Sequence, residues 1–193
     1  DVEFRKEAKA LGPYVQKGDA NAVKAGLGAL KNNRSSATSH LSTEEEINGI
    51  VTVNFGEESS RTGTETTNTL LHMAVRKNSI SCLEALAECK PDVNVRNGMG
   101  YTPLHVACIF GCSSDVVKFL LASGADVHLK DDKGNTTVHM AARSLSGWIL
   151  ALLVEKGAEK DAQNDDMETA LDAANKQHSQ LSRRSSYAQM RQE

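Results

Sequence analysis

An all-α array of repeated helix-turn-helix units is the fold class this sequence predicts, on three observations. The phrase Thr102-Pro103-Leu104-His105-Val106-Ala107 has counterparts at Thr69-Leu70-Leu71-His72-Met73-Ala74, Thr136-Thr137-Val138-His139-Met140-Ala141 and Thr169-Ala170-Leu171-Asp172-Ala173-Ala174. Leu71, Leu104, Val138 and Leu171 are thus spaced by 33, 34 and 33 residues, which defines a repeat. A second phrase keeps the same phase: Lys90-Pro91-Asp92-Val93-Asn94, Gly124-Ala125-Asp126-Val127-His128 and Gly157-Ala158-Glu159-Lys160-Asp161. Hydrophobic residues make up 39% of the 193, but aromatics only 4%. Thin helices stacked side by side need small and branched aliphatics more than large rings.

The two phrases, held in phase, resemble the ankyrin-repeat family, whose unit is a turn and two antiparallel helices. The resemblance implies that the TPLH stretch opens the first helix and that an apolar run such as Val116-Val117 followed by Phe119-Leu120-Leu121 forms the second. It also implies that the Gly-Ala-Asp-Val phrase leads into a β-hairpin finger. The implied architecture is an ankyrin-repeat solenoid of four to five units joined by such fingers, with a long insertion after the first unit.

Taken in order, residues 1–30 read as a degenerate first repeat. Leu11, Tyr14, Val15, Gly18 and Val23 match Leu71, Ala74, Val75, Asn78 and Leu83 in spacing, but the TPLH phrase is lost, as in a capping unit that meets solvent. Pro13 fits early in such a helix, where its missing N–H does least harm. Leu11 and Leu71 stand 60 residues apart, about 27 more than one repeat. Residues 31–67 are therefore an insertion, rich in Ser, Thr, Asn, Glu and Gly, and are expected to be a long loop. Its flanks, 31–46 and 56–66, are expected to be mobile. The β-branched island Ile47–Phe55 suggests a short strand at 47–55.

Residues 68–178 carry the clear repeats. Asn97-Gly98-Met99-Gly100 and Asp131-Asp132-Lys133-Gly134 supply residues that tolerate positive φ in tight turns. Thr67 and Met167 occupy the glycine position, so altered geometry is expected in the first and last turns. One extra residue falls around Cys112-Ser113-Ser114. The fourth unit decays after Lys176 into a polar tail, 179–193, in which Arg183-Arg184-Ser185-Ser186 makes Ser185 and Ser186 candidate phosphorylation sites.

Charge and cysteine content exclude several classes. The net charge is -3 and no window is strongly basic, so direct nucleic-acid binding is not expected. No run approaches the roughly 20 apolar residues of a membrane span, and Asp1-Val2-Glu3-Phe4-Arg5-Lys6 is no signal peptide. Asp1 is not a natural start residue, so a fragment of a longer chain is one expectation, and a targeting segment ahead of it stays open. Cys82, Cys89, Cys108 and Cys112 form no CxxC pair and no zinc spacing. Buried, reduced thiols are expected, and with them a cytoplasmic or nuclear location.

His72, His105 and His139 recur in phase. The resemblance implies a structural role for them, bonding the Thr hydroxyl and neighbouring backbone. They would also lie about 10 Å apart, too far to share a metal. No phosphate loop, nucleophile elbow, zinc-protease or EF-hand motif is present, and no catalytic residue, cofactor or metal is expected. Glu44-Glu45-Glu46 and Asp165-Asp166 read as solvated charge.

If turns and first helices line a concave face, the side chains least constrained by packing are the finger tips and the last two positions of each first helix. Met99, Tyr101, Ile109 and Phe110 place large groups there, flanked by Lys133, Asn135, Arg143 and Asp166. Such a cluster marks a protein-binding surface, the alternative being that Ile109 and Phe110 tuck under the neighbouring finger or the insertion. Trp148 is a second apolar candidate. The function read from this is a non-enzymatic interaction module, monomeric in isolation, acting as adaptor or inhibitor. The alternative is a regulatory domain packing against an absent catalytic, channel or DNA-binding region of a larger protein. From the resemblance, the finger asparagine Asn94 is a candidate hydroxylation acceptor.

Overall fold

The computed structural model describes residues 2–34, 55–56 and 67–179. They divide into two units, residues 1–107 with 112–126 and residues 108–111 with 127–193.

The first unit opens with α1, Val2–Lys17, and α2, Ala20–Arg34. Gly18 (φ 75°) turns the chain between them, and the Asp19 carboxylate accepts the Ala22 N–H at 3.0 Å to start α2. Leu11, Val15, Val23 and Leu27, at helical spacing, are the buried stripe of this hairpin. The helices approach closely at Gly26, where a Cβ would stand 2.5 Å from a Leu11 methyl. Because α1 starts at Val2, Pro13 lies deep inside it rather than in its first turn. It is tolerated on an exposed face, where the carbonyl that loses its N–H partner can turn to water. α2 carries helix through Arg34, so the start of the expected loop at 31 is corrected to residues beyond it.

Of the expected strand at 47–55 only Phe55 falls within the described residues. It forms β1, Phe55–Gly56, antiparallel to β2, Thr67–Asn68, with Phe55 opposite Asn68 and Gly56 opposite Thr67. Thr67 therefore lies in extended backbone and not at a turn tip. Residues 35–54 and 57–66, most of the expected insertion, lie outside the described residues.

The repeats follow. α3, Leu70–Arg76, and α4, Ile80–Ala87, are joined through Asn78 at φ 54°. α5 spans Pro103–Phe110 and α6 spans Ser114–Ala122. Pro103 takes the first helical position after Thr102, where a missing N–H costs nothing. Leu71, Leu83, Leu86, Leu104 and Leu120 are buried completely or nearly so and form the core of this unit. The extra residue falls in the pair Cys112-Ser113, ahead of the second helix. The Cys112 thiol is buried and donates to the Val75 carbonyl at 3.2 Å, while the next N–H, Ser113, reaches the Asn78 side chain at 2.8 Å. This pair thus supplies packing and bonds to the preceding repeat.

In the second unit, α7, Thr137–Arg143, and α8, Gly147–Glu155, pack as a hairpin, and residues 170–179 form α9. Met140, Ile149 and Leu153 are its largest buried apolar side chains. The helix continues to Ser179, three residues past the decay point read at Lys176.

One Asn or Asp organises each finger. Asn97 accepts the N–H groups of Met99 (2.9 Å) and Tyr101 (3.0 Å), and Asp131 those of Lys133 and Asn135 (both 2.8 Å). Asn164 accepts those of Asp166 (3.0 Å) and Glu168 (2.9 Å). The tips sit at positive φ in Gly100 (72°), Gly134 (73°) and Met167 (60°), so Met167 holds the glycine conformation and the last turn keeps its geometry. Gly134 is also closely approached, since a Cβ there would meet the Asp165 carboxylate and stand 2.8 Å from the Asp165 backbone nitrogen. Gly134→Ala should therefore destabilise the protein by about 2 kcal/mol or more, from the left-handed backbone and the displaced neighbour together. Urea denaturation measures this, and an unchanged midpoint would show that the finger moves aside freely.

Candidate interaction surface

Three buried histidines, His72, His105 and His139, stand in phase. The Nε2 of His72 lies 2.8 Å from the Tyr101 carbonyl oxygen, which can only accept, so Nε2 carries the proton. Nδ1 is then the acceptor for the Thr69 hydroxyl at 2.8 Å and the Thr69 N–H at 3.4 Å. His139 takes the Thr136 hydroxyl (2.9 Å) and N–H (3.2 Å) and donates to the Glu168 carbonyl at 3.0 Å. His105 holds Thr102 in the same way, at 2.9 and 3.3 Å. Each ring closes its own helix, and His72 and His139 also tie it to the next finger. Burial pushes His72 down to about 4, against the Tyr101 hydrogen bond and with a smaller contribution from His105. It is neutral at pH 7, with both nitrogens engaged in bonds that close α3 and hold the next finger.

All four cysteines are free and buried. Burial raises the Cys112 thiol to about 11, so it is protonated at neutral pH, consistent with its role as donor. Among the described residues no group of three or more His, Cys, Asp and Glu side chains could hold a metal ion.

The sequence-predicted surface residues divide between the units. In the first, Met99 is exposed at its finger tip, while Tyr101 is half-buried with its ring stacked 6.1 Å from His105. In the second, Phe110 is 57% exposed, Ile109 is half-buried, and Lys133, Arg143 and Asp166 are exposed. Asn135 is 3% exposed, its amide nitrogen on the Asp131 carboxylate (3.0 Å) and its oxygen accepting from Asn164 at 2.9 Å. It is a rung of the finger stack and is withdrawn from any surface. In the first unit Asn97 donates to Asn68 in the same way at 3.0 Å.

Residues that the pattern did not single out complete the second unit's surface. Lys176 bonds Glu168 at 2.7 Å, which raises Lys176 and, with a smaller contribution from Arg143, holds the Glu168 carboxyl below its usual range. Leu145 is 59% exposed at φ 56°, in phase with Asn78 (54°) and Gly111 (59°). A leucine in a phase that otherwise takes Gly or Asn was the available sequence signal. A Cβ on Gly111 would stand 3.1 Å from the Ser146 hydroxyl, so the Phe110 end of α5 abuts the loop carrying Leu145. Trp148, on the first turn of α8, is exposed as well.

Asn94 is engaged at both ends of its amide, donating to the Gly124 carbonyl (3.1 Å) and accepting the Asp126 N–H (2.8 Å). Ser185 and Ser186 lie outside the described residues.

A family model described as ankyrin repeats matches the chain in three copies, residues 15–131, 71–164 and 111–181. The chain is 31% identical over 110 residues to E3 ubiquitin-protein ligase KEG of Arabidopsis thaliana, a match covering 54% of the chain and 7% of the ligase. It is 38% identical over 93 residues to transient receptor potential cation channel subfamily A member 1 of Homo sapiens, covering 48% of the chain and 8% of the channel subunit. It is 36% identical over 102 residues to NF-kappa-B inhibitor alpha of Sus scrofa, covering 49% of the chain and 32% of the inhibitor. The chain thus spans about a third or less of the length of these relatives. No helix among the described residues is long and apolar enough to cross a membrane. Ankyrin-repeat proteins are in general non-enzymatic protein-interaction modules, and this chain, with its all-α repeats matched from residue 15 to residue 181, belongs to the ankyrin-repeat family.

Proposed function

We propose that this protein is a non-enzymatic binding module that recognises a protein partner through its finger tips and first-helix ends. The observation that carries the reading is the exposure of Phe110 beside the exposed Leu145 loop. Arg143, Lys133 and Asp166 would flank this contact in the second unit. In the first, Met99 and the edge of Tyr101 would add contacts. One relative is by name an inhibitor of NF-kappa-B, which supports an adaptor or inhibitor acting in the cytoplasm or nucleus. The module is proposed to be monomeric in isolation and to bind no nucleic acid. Crosslinking capture from native extract with the wild-type chain and Phe110→Asp tests it. A partner retained equally by both would place the site elsewhere.

A second reading is favoured by the relatives of which the chain covers only 7–8%, a ubiquitin ligase and a channel subunit. On it the same surface packs against another region of a longer polypeptide. Restoration of binding by that region supplied in trans would distinguish the two.

A further inference from the structure

α9 buries Ala170 and Ala173 and turns Leu171 outward, 69% exposed. In the three preceding units the residue in phase, Leu71, Leu104 or Val138, is no more than 2% exposed. Each of those units has another repeat after it in the chain, whereas no described element follows α9. Met167, just before it and also 69% exposed, holds a left-handed conformation that Gly100 and Gly134 take in the other fingers. A side chain there is disfavoured by the backbone and bulky for a solvated tip.

Beside these two apolar groups the chemistry of the capping position is inverted. His72 and His139 each present an N–H to the carbonyl of a following finger. The fourth unit has Asp172 there. Its Oδ2 accepts from the Thr169 N–H (2.9 Å) and hydroxyl (2.7 Å), so α9 is capped as the other first helices are. Its Oδ1 takes no hydrogen bond among the described residues. Another finger of the same kind would set a carbonyl oxygen against this carboxylate, acceptor facing acceptor. The position suits a donor, and the bonds from Thr169 hold the Asp172 carboxyl below its usual range, so the fitting donor is a cation. Exposed Asp165 adds charge of the same sign, while Lys176 is engaged with Glu168.

We propose that Met167, Leu171 and Asp172 form a docking surface for a basic segment of a partner protein, with an aliphatic side chain seated on Leu171 and a Lys or Arg on the open oxygen of Asp172. This proposal does not depend on the Phe110 contact. The test is fluorescence anisotropy of the full chain with a short labelled peptide of leucine and lysine at helical spacing, and with its glutamate counterpart. The lysine peptide should bind and the glutamate peptide should not. Leu171→Ser and Asp172→His should each weaken binding at least about tenfold, as expected for central contacts. Asp172→His is the decisive variant, because the ring Nδ1 can take the Thr169 bonds and keep the melting temperature while the acceptor becomes a donor. Equal affinity in wild type and both variants would overturn the proposal. So would tighter binding to Arg183→Glu/Arg184→Glu, which would assign the surface to the chain's own residues 180–193. Self-association in sedimentation that Leu171→Ser abolishes would assign it to a second copy, and would overturn it equally.

Discussion

On acidification from pH 7 to pH 4 the protein should lose about 3 kcal/mol of stability through His72 alone. An unfolded histidine binds its proton near 6.5, whereas His72 in the fold does not until about 4. Between those values unfolding takes up a proton, so its contribution is fully present above about 6.5 and disappears as the pH falls toward the folded value. The cause is structural. A second proton would have to enter at Nδ1, which faces the Thr69 hydroxyl and N–H, and the charge would sit in a desolvated site. Urea denaturation followed by circular dichroism at several pH values measures the slope. His72→Gln provides the control, since a glutamine three residues after the N-cap can still accept from the Thr69 N–H but does not titrate. The variant should be less stable at pH 7 and lose less between 6.5 and 4. Parallel profiles for the two proteins would show that His72 is not the acid-sensitive group.

Phe110→Asp should leave the fold within about 0.5 kcal/mol of wild type, as expected for a surface position. Partner affinity should fall by about 2 kcal/mol or more, roughly thirtyfold. Ile109 is half-buried, so Phe110 alone is the cleaner probe. Arg143→Ala should weaken binding less, and its effect should fade at high salt, because exposed charges are screened beyond about 8–10 Å. Calorimetry with a captured partner reads both. Unfolding of Phe110→Asp would make Phe110 part of the packing, and normal binding by a folded variant would remove it from the site.

Much of the local structure was legible from single residues. Thr69, Thr102 and Thr136 with His three residues on, Asn78 and Gly111 after their first helices, and Asn97, Asp131 and Asn164 at the base of the fingers act within a few residues of themselves. Their bonds are therefore settled by sequence distance. Even so, Pro13 was misplaced, because the length of α1 beyond the repeat unit does not follow from repeat spacing.

The repeat period, the helix caps and the burial of the in-phase leucines were determined by the sequence itself, since each depends on contacts that recur with the repeat. The tertiary structure decided which members of a repeating position stay on the outside. Asn135 looks like a finger-tip side chain in the sequence and becomes an inner rung, because Asn164 arrives from the next finger to meet it. Leu171 shares its phase with three buried residues and is nevertheless exposed, because among the described residues no repeat packs on it from the far side. Exposure belongs to a residue and whatever packs against it, and that second party is chosen by the fold.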